Sequence, residues 1–297
     1  MATRDELFTK CSPRAGSLAL GTMKRVLVTG ATGFVGRHVV ASLLARSVAV
    51  TAVVRKGSEH RLDQKAAIDR VVVSEDVFSE GESWWERISS STDTVIHTAW
   101  YTRPADYMTS AENARCADGT LRMASGVSRG GVKRFVGLGT CLEYEQTGHV
   151  LTTRTKIRPD GAYASAKADT FLRLSEALGA TSVEFAWCRL FYLYGEGEND
   201  ARLMPYLHRQ LSQGGEVRLS NPNQVLDFLD VRDVAEKIVS IALSNRVGAF
   251  NICSGNGTTV RDLALRVARQ FAREELVVDA SDPLRAVNPA IVGEPSV

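Results

Sequence analysis

Three glycines spaced three apart, directly after a short apolar run, constrain this chain more than any other feature. In Val26-Leu27-Val28-Thr29-Gly30-Ala31-Thr32-Gly33-Phe34-Val35-Gly36 the first three residues suit a short buried strand, and Phe34 to Leu44 places its apolar residues at helical spacing. Val48 to Val54 follows as a second apolar run rich in β-branched residues. A strand, a helix and a strand in this order make a unit whose strands lie parallel, because a parallel pair needs a crossover. In the turn, Gly30 permits the sharp bend, Gly33 lets backbone approach a pyrophosphate, and Gly36 lets the helix pack closely on the strand. The helix N-terminus then faces the negative charge. A glycine-rich loop alone is weak evidence, but in this strand-turn-helix context it predicts a dinucleotide site formed by Gly30, Thr32, Gly33, Phe34, Val35 and Gly36.

The alternation continues. Arg70 to Val73, Thr94 to Thr98, Arg134 to Leu138 and Val183 to Leu190 read as further buried strands, separated by helical stretches over Trp84 to Ile88, Pro104 to Ser128 and Ala164 to Leu178. Strands and helices in that order predict an α/β fold, a doubly wound parallel sheet of the Rossmann type with helices on both faces. After Tyr194 the regularity breaks. Helical stretches over Leu203 to Leu211, Val231 to Leu243 and Val260 to Phe271 mix with short strands near Glu216 to Leu219, Phe250 to Cys253 and Leu276 to Asp279. These are expected to form a small C-terminal α/β lobe over the carboxyl edge of the sheet. The organisation is a loose extension over 1–22, with Met23 a candidate start, a dinucleotide-binding domain over 23–190 and a substrate-binding lobe over 191–297, the two interleaved in space.

With 297 residues, 44% of them hydrophobic and 24% charged, the chain can bury a large core. Its net charge of +2, from 36 basic and 34 acidic residues, and the lack of a long basic block point to a small-molecule substrate and away from nucleic acid or a membrane surface. No apolar run reaches the ~18 to 20 residues of a membrane span. Met1 to Lys10 is charged where a signal peptide would be apolar, so a cytoplasmic location is expected. Cys11, Cys116, Cys141, Cys188 and Cys253 show no metal-ligand spacing and read as reduced thiols, and the dispersed histidines read as surface or core residues; no metal is expected.

The end of the second strand bears on the choice of nucleotide. An acidic residue there would bind the ribose hydroxyls of NAD, whereas Val54-Arg55-Lys56 offers two cations suited to a 2′-phosphate. NADP(H) is therefore favoured, with NAD(H) the alternative if Glu59 or Asp63 reaches the ribose from the following loop. Asp76-Val77, after the third strand, suits the adenine amino group. Thr98-Ala99-Trp100 ends the fourth strand beside the expected nicotinamide half.

Tyr163-Ala164-Ser165-Ala166-Lys167 opens a helical run with Tyr and Lys on one face. A phenol with an ordinary pKa of about 10 is a poor neutral-pH proton carrier unless a nearby cation stabilises its anion, and Lys167 is placed to do so. Thr140 ends the fifth strand, where its hydroxyl can hydrogen-bond a substrate carbonyl oxygen beside Tyr163. With these residues the chain resembles the extended short-chain dehydrogenase/reductase family, especially its nucleotide-sugar epimerases, dehydratases and ketoreductases. The likeness spans Lys24 to about Val292 and rests on Gly30-x-x-Gly33-x-x-Gly36, Asp76-Val77, Thr140, Tyr163-x-x-x-Lys167, Arg189-Leu190-Phe191-x-x-Tyr194-Gly195 and Asp227-Phe228-Leu229-Asp230-Val231.

The resemblance implies hydride transfer between nicotinamide and a carbinol or ketone carbon, with Tyr163 as acid/base, Lys167 lowering its pKa and holding the ribose, and Thr140 positioning the oxygen. It adds Leu190 to the cofactor set and implies a homodimer paired through helices, one of them Ala164 to Leu178. Where the family's 4,6-dehydratases have Asp-Glu after the threonine, this chain has Cys141-Leu142, which argues against dehydration. Arg55-Lys56 and the Gly139-Thr140-Cys141-Leu142-Glu143-Tyr144 stretch favour an NADP(H)-dependent reductase of the 4-keto group of a nucleotide-activated 6-deoxyhexose. The alternatives are a nucleotide-sugar 4-epimerase with tightly held NAD, a reductase of a non-sugar ketone, and a non-catalytic redox sensor.

Trp100, Tyr144 and Tyr192 are candidate substrate contacts, as is Arg285, which resembles the family's diphosphate-binding arginine. Relatives carry Asn at the position of Tyr192, Arg at that of Leu226 and Asn at that of Cys116; Arg202 or Arg218 are candidates to supply the missing guanidinium. The chain stops at Val297, where relatives continue into a last helix, so an open or abbreviated lobe is expected.

Overall fold

The computed structural model describes residues 24–280 and 288–297. The extension over 1–22 and Arg285 lie outside the described residues. The first unit is β1 (Arg25–Thr29), α1 (Phe34–Ala45) and β2 (Ala49–Arg55), followed by β3 (Arg70–Ser74), α2 (Glu82–Ser89) and β4 (Thr94–His97). The second half of the sheet region holds α3 (Glu112–Arg129), β5 (Arg134–Thr140), α4 (Gly161–Gly179) and β6 (Glu184–Leu190). Then come β7 (Tyr192–Tyr194), α5 (Leu203–Gln213), β8 (Val217–Leu219), β9 (Val225–Asp230), α6 (Val231–Leu243), β10 (Gly248–Ile252), β11 (Gly257–Thr259), α7 (Val260–Arg269) and β12 (Val277–Asp279).

Seven strands form one parallel sheet in the order β10-β6-β5-β4-β1-β2-β3. Val28 sits between Ala52 of β2 and Ile96 of β4, so the strand order reverses between β1 and β4, and a crevice opens there at their carboxyl ends. Side chains of β1 alternate between the two layers: Val26 and Val28 join α1 and α6 in one core, and Leu27 joins α2, α3 and α4 in the other. Both faces are covered, which is why these strands read as continuous apolar runs. Among the described residues no helix is long and apolar enough to cross a membrane.

Two elements expected in the small lobe belong to the main sheet and the helix layer that covers it. β10 is its edge strand, paired with β6 from Gly248↔Ala186 to Ile252↔Leu190, and α6 packs Val234 and Ile238 into the core that contains Val39 and Leu43 of α1. What remains of the lobe is α5, α7 and the β8–β12 pair around Leu207, Leu211, Val217 and Val267, with a small β11-β9-β7 sheet. The Asp227 to Val231 motif links these parts. Buried Asp227 accepts from Ser254 N (2.8 Å), Ser254 Oγ (2.7 Å) and Gly255 N (2.9 Å), while Asp230 caps α6 by accepting from Arg232 N at 2.8 Å.

The helix expected from Pro104 begins instead at Glu112. Asn113 takes the carbonyls of Tyr107 (2.6 Å) and Ser110 (3.0 Å) on its side-chain amide, holding the preceding residues as a turned loop.

Candidate active site

The glycine turn has the shape that a phosphate-binding loop requires. Gly30 has φ +66°, and Gly33 N donates to its carbonyl at 2.8 Å. A Cβ on Gly36 would lie 2.1 Å from that same carbonyl oxygen and 2.8 Å from Thr98 Oγ1, so helix and strand touch as backbone. Gly33 caps α1 with no side-chain bond, and the first turn carries no acidic residue, so its N–H groups are left to an anion. These features fit a dinucleotide pyrophosphate. Gly36→Ala is expected to cost about 1–3 kcal/mol or more by overpacking and to abolish NAD(P)H binding, read by thermal melting and nucleotide fluorescence; a variant that melts and binds like the parent would contradict the close approach.

The nearby candidates are placed unequally. Thr32 Oγ1 donates to Ser58 Oγ at 3.3 Å, and Phe34 and Val35 lie in the first turn of α1. Lys56 is ion-paired with Glu75, which leaves Arg55, exposed at the end of β2, as the cation of this pair without a carboxylate partner among the described residues. Asp76 accepts from Phe78 N and Ser79 Oγ and pairs with Arg115. Burial raises its pKa, but these bonds outweigh burial and hold the carboxyl below its usual range. Val77 packs on the α2–α3 side of the sheet. Thr98 Oγ1 donates to Thr29 O at 2.7 Å and Ala99 follows it at the crevice, while Leu190 ends β6. His97, between Thr29 Oγ1 (2.7 Å) and Thr120 Oγ1 (3.0 Å), is pushed down to about 3 by burial and then Lys167, so it is a neutral core histidine.

Thr140, Tyr163 and Lys167 converge where β5 ends against α4. Burial foremost, then Tyr107, Glu143 and Cys141, hold the Tyr163 phenol well above its ordinary pKa, with a hydrogen bond to the Thr140 side chain working the other way. Lys167 was expected to lower that pKa. Its four-carbon chain instead carries the ammonium to Leu138 O (2.7 Å) and over the Trp100 ring, 3.6 Å from the centroid. One face of Trp100 is therefore occupied, and its Nε1 donates to Asn113 Oδ1 at 2.9 Å. Tyr144 is not a substrate platform: it is wholly buried, its hydroxyl donates to Asn251 Oδ1 at 2.7 Å, and the Arg189 guanidinium lies 4.7 Å over its ring. The physical reason is the Thr140–Glu143 capping turn, which aims Tyr144 inward.

Tyr192 does remain at the cleft, half-buried beside Phe228. Burial, then Cys141 and Tyr107, hold its pKa high, while Arg202 opposes them. Three residues stand out in the structure more than in the sequence. Tyr107 meets Tyr163 edge-to-face at 5.1 Å, and Arg202 lies 5.0 Å over the Tyr107 ring, with a long 3.4 Å bond to its hydroxyl. Glu198 has a buried Oε2 with no hydrogen-bond partner among the described residues; burial pushes this carboxyl up to about 7 against Gly195 N–H and Arg202. Arg202 also lines a cavity of about 400 Å³ between α5, β8 and the start of α7, together with Tyr206, Arg218, Asn221, Gln224 and Leu226. The site thus runs from a phenol to an arginine-lined cavity.

Residues 26–253 match the model of the NAD dependent epimerase/dehydratase family. Among known proteins, a dTDP-6-deoxy-L-talose 4-dehydrogenase (NAD(+)) of Aggregatibacter actinomycetemcomitans is 23% identical over 245 residues, which cover 80% of this chain and 86% of that one. A dTDP-4-dehydro-6-deoxy-D-allose reductase of a Streptomyces species is 25% identical over 284 residues, covering 89% and 86%. Among solved structures, the UDP-N-acetylglucosamine 4-epimerase from Methanobrevibacter ruminantium superposes with a TM-score of 0.81 at 19% identity over 92% of this chain and 90% of that one, a likeness of fold.

Proposed function

The chain belongs to the NAD dependent epimerase/dehydratase family, and from that premise we propose that it reduces the 4-keto group of a nucleotide-activated 6-deoxyhexose with NADP(H). The observation that carries this reading is the line from Tyr163 through Tyr107 to Arg202 and the cavity that Arg202 and Arg218 line. It suits a two-part substrate, with the reacting carbon at the phenol and an anionic diphosphate on guanidinium groups, which bind phosphate in a bidentate fork. The relatives named above as a 4-dehydrogenase and a 4-dehydro reductase act on 6-deoxyhexoses linked to dTDP, which supports the same position of chemistry.

The Gly30–Gly36 turn would hold a nicotinamide dinucleotide, whose chemistry when bound would be hydride donation to the ketone carbon. Tyr163 gives its phenolic proton to the oxygen, and the Thr140 hydroxyl steadies the charge that develops there. A phenol held above its ordinary pKa is fully protonated at neutral pH, and an alkoxide is far more basic still, so the transfer runs towards the alcohol. Glu143 does not offer a second acid for water elimination: its carboxylate is wholly buried and bonded to Thr140 N, Trp187 and Arg189.

The pairing of Lys56 with Glu75 and the NAD(+) in the name of the talose-type relative favour NAD over NADP, and the second reading that uses NAD is a nucleotide-sugar 4-epimerase. NADPH oxidation in the presence of a dTDP-linked 4-keto-6-deoxyhexose tests the first. Stoichiometric NAD released on denaturation, with no such oxidation, would replace it by the second. Within the reductase reading, Arg202→Ala is expected to raise KM about 10- to 100-fold with little change in kcat, the loss of a charged hydrogen bond worth about 1.5–3 kcal/mol. An unchanged KM would remove Arg202 from the substrate site.

A further inference from the structure

We propose that Trp100 is a positioning residue for Lys167, its indole face holding the ammonium in the buried space beside the end of β5. Lys167 is only 4% exposed, and among the described residues Nζ donates to Leu138 O at 2.7 Å. The Trp100 face, 3.6 Å away at the ring centroid, meets the charge; Trp187 is more distant at 5.8 Å. A cation over an indole within about 6 Å is attracted by the ring quadrupole, and more strongly where water is excluded.

The indole is itself fixed. Its Nε1 donates to Asn113 Oδ1 at 2.9 Å, and Asn113, 1% exposed, donates to the carbonyls of Tyr107 and Ser110. One amide therefore locks the ring over Lys167 and the loop that brings Tyr107 against Tyr163.

The groups facing Lys167 come from four elements. Burial lowers its pKa to about 7, while Glu143, after β5, and Cys116, on α3, favour the charged form. His97 on β4 is neutral, its pKa about 3, and Tyr163, one turn earlier on α4, stays protonated. Burial outweighs these charges and leaves Lys167 titrating close to neutrality, where the attraction of an uncharged aromatic face is enough to shift it towards the cation. This role rests on the reading of Tyr163 and Lys167 given above, but its test needs neither substrate nor turnover.

Competitive acetylation of the full chain across pH, followed on the Lys167 peptide by mass spectrometry, reads the midpoint directly. Trp100→Phe keeps an aromatic face and loses the bond to Asn113; Trp100→Leu keeps dry apolar bulk and loses the face. The midpoint is expected near neutrality in the parent, somewhat lower in Trp100→Phe, whose ring has lost its anchor, and lowest, by about one pH unit, in Trp100→Leu. A Trp100→Leu curve superposing on the parent overturns the proposal. So does a parent Lys167 that labels like an exposed lysine, near pH 10.4, an outcome that needs no variant to fold. Failure here leaves NADPH oxidation to judge the reductase reading, and failure of NADPH oxidation leaves the labelling midpoint to judge this one.

Discussion

Tyr163→Phe is expected to lower kcat for NADPH-dependent ketone reduction about 100- to 10,000-fold while NADPH affinity stays at the parent value. The substitution removes one oxygen and keeps the ring, so the edge-to-face contact with Tyr107 and the backbone bond from residue 163 to Met108 O at 3.1 Å survive. The phenol lies in a site whose burial keeps it protonated, and it is hydrogen-bonded to the Thr140 side chain. The effect belongs in kcat, because the oxygen being protonated becomes basic only as the hydride arrives. Steady-state kinetics with a dTDP-linked 4-keto-6-deoxyhexose, alongside fluorescence titration with NADPH, separate the two quantities. Full turnover in the variant would take Tyr163 out of the reaction; equal losses of turnover and NADPH affinity would mean that the ring, and not its hydroxyl, is what matters.

The glycine turn and the first six strands were legible because their signals are local. A parallel strand covered on both faces must be apolar throughout, and a turn in which α1 meets β1 backbone to backbone at Gly36 and Gly30 leaves no room for a side chain. The fate of β10 was not legible, since the apolar run Phe250 to Cys253 says that a strand is buried but not which strand it joins. β7, β9 and β11 escaped for a related reason: they are three to six residues long and line a cleft, so their patterns are mixed. Among site residues, Tyr163 and Lys167 announce themselves by spacing, yet the direction of the lysine ammonium depends on Trp100, which arrives from β4. Tyr107 lay inside a stretch whose helical character outweighed the warning of Pro104. The burial of Tyr144 was not legible, because an aromatic near a candidate catalytic threonine looks the same in sequence whether it faces solvent or core.

Gly137 and Gly139 alternate within β5, a strand interior where glycine marks close approach of something large. A Cβ on Gly139 would lie 2.2 Å from Trp187 Nε1 and 2.3 Å from Glu143 Oε1, so the bare strand makes space for a buried polar group behind Thr140. There Glu143 Oε1 accepts from Thr140 N at 2.8 Å and Trp187 Nε1 at 3.0 Å, and Oε2 accepts from Arg189 Nε at 2.6 Å. Arg189 donates in turn to Tyr144, whose hydroxyl donates to Asn251.

Glu143→Ala is therefore expected to destabilise the protein by about 3–5 kcal/mol, because it strands the Arg189 cation, 1% exposed, without its carboxylate. That is a large part of the roughly 5–15 kcal/mol that holds a typical domain. Replacing both partners, Glu143→Leu with Arg189→Met, removes the uncompensated charge and is expected to recover part of the loss in a denaturant titration, the remainder being the buried Thr140 N and Trp187 Nε1 donors left without their acceptor. A single variant as stable as the parent would mean that the pair is hydrated and not buried. Activity separates a second role from this one. Glu143 is also the acceptor that closes the capping turn on Thr140, and no apolar side chain can replace that bond. The double variant should thus regain part of the lost stability while its kcat stays low, since a site held about 1 Å out of place loses on the order of 100-fold in rate even when the fold around it is sound.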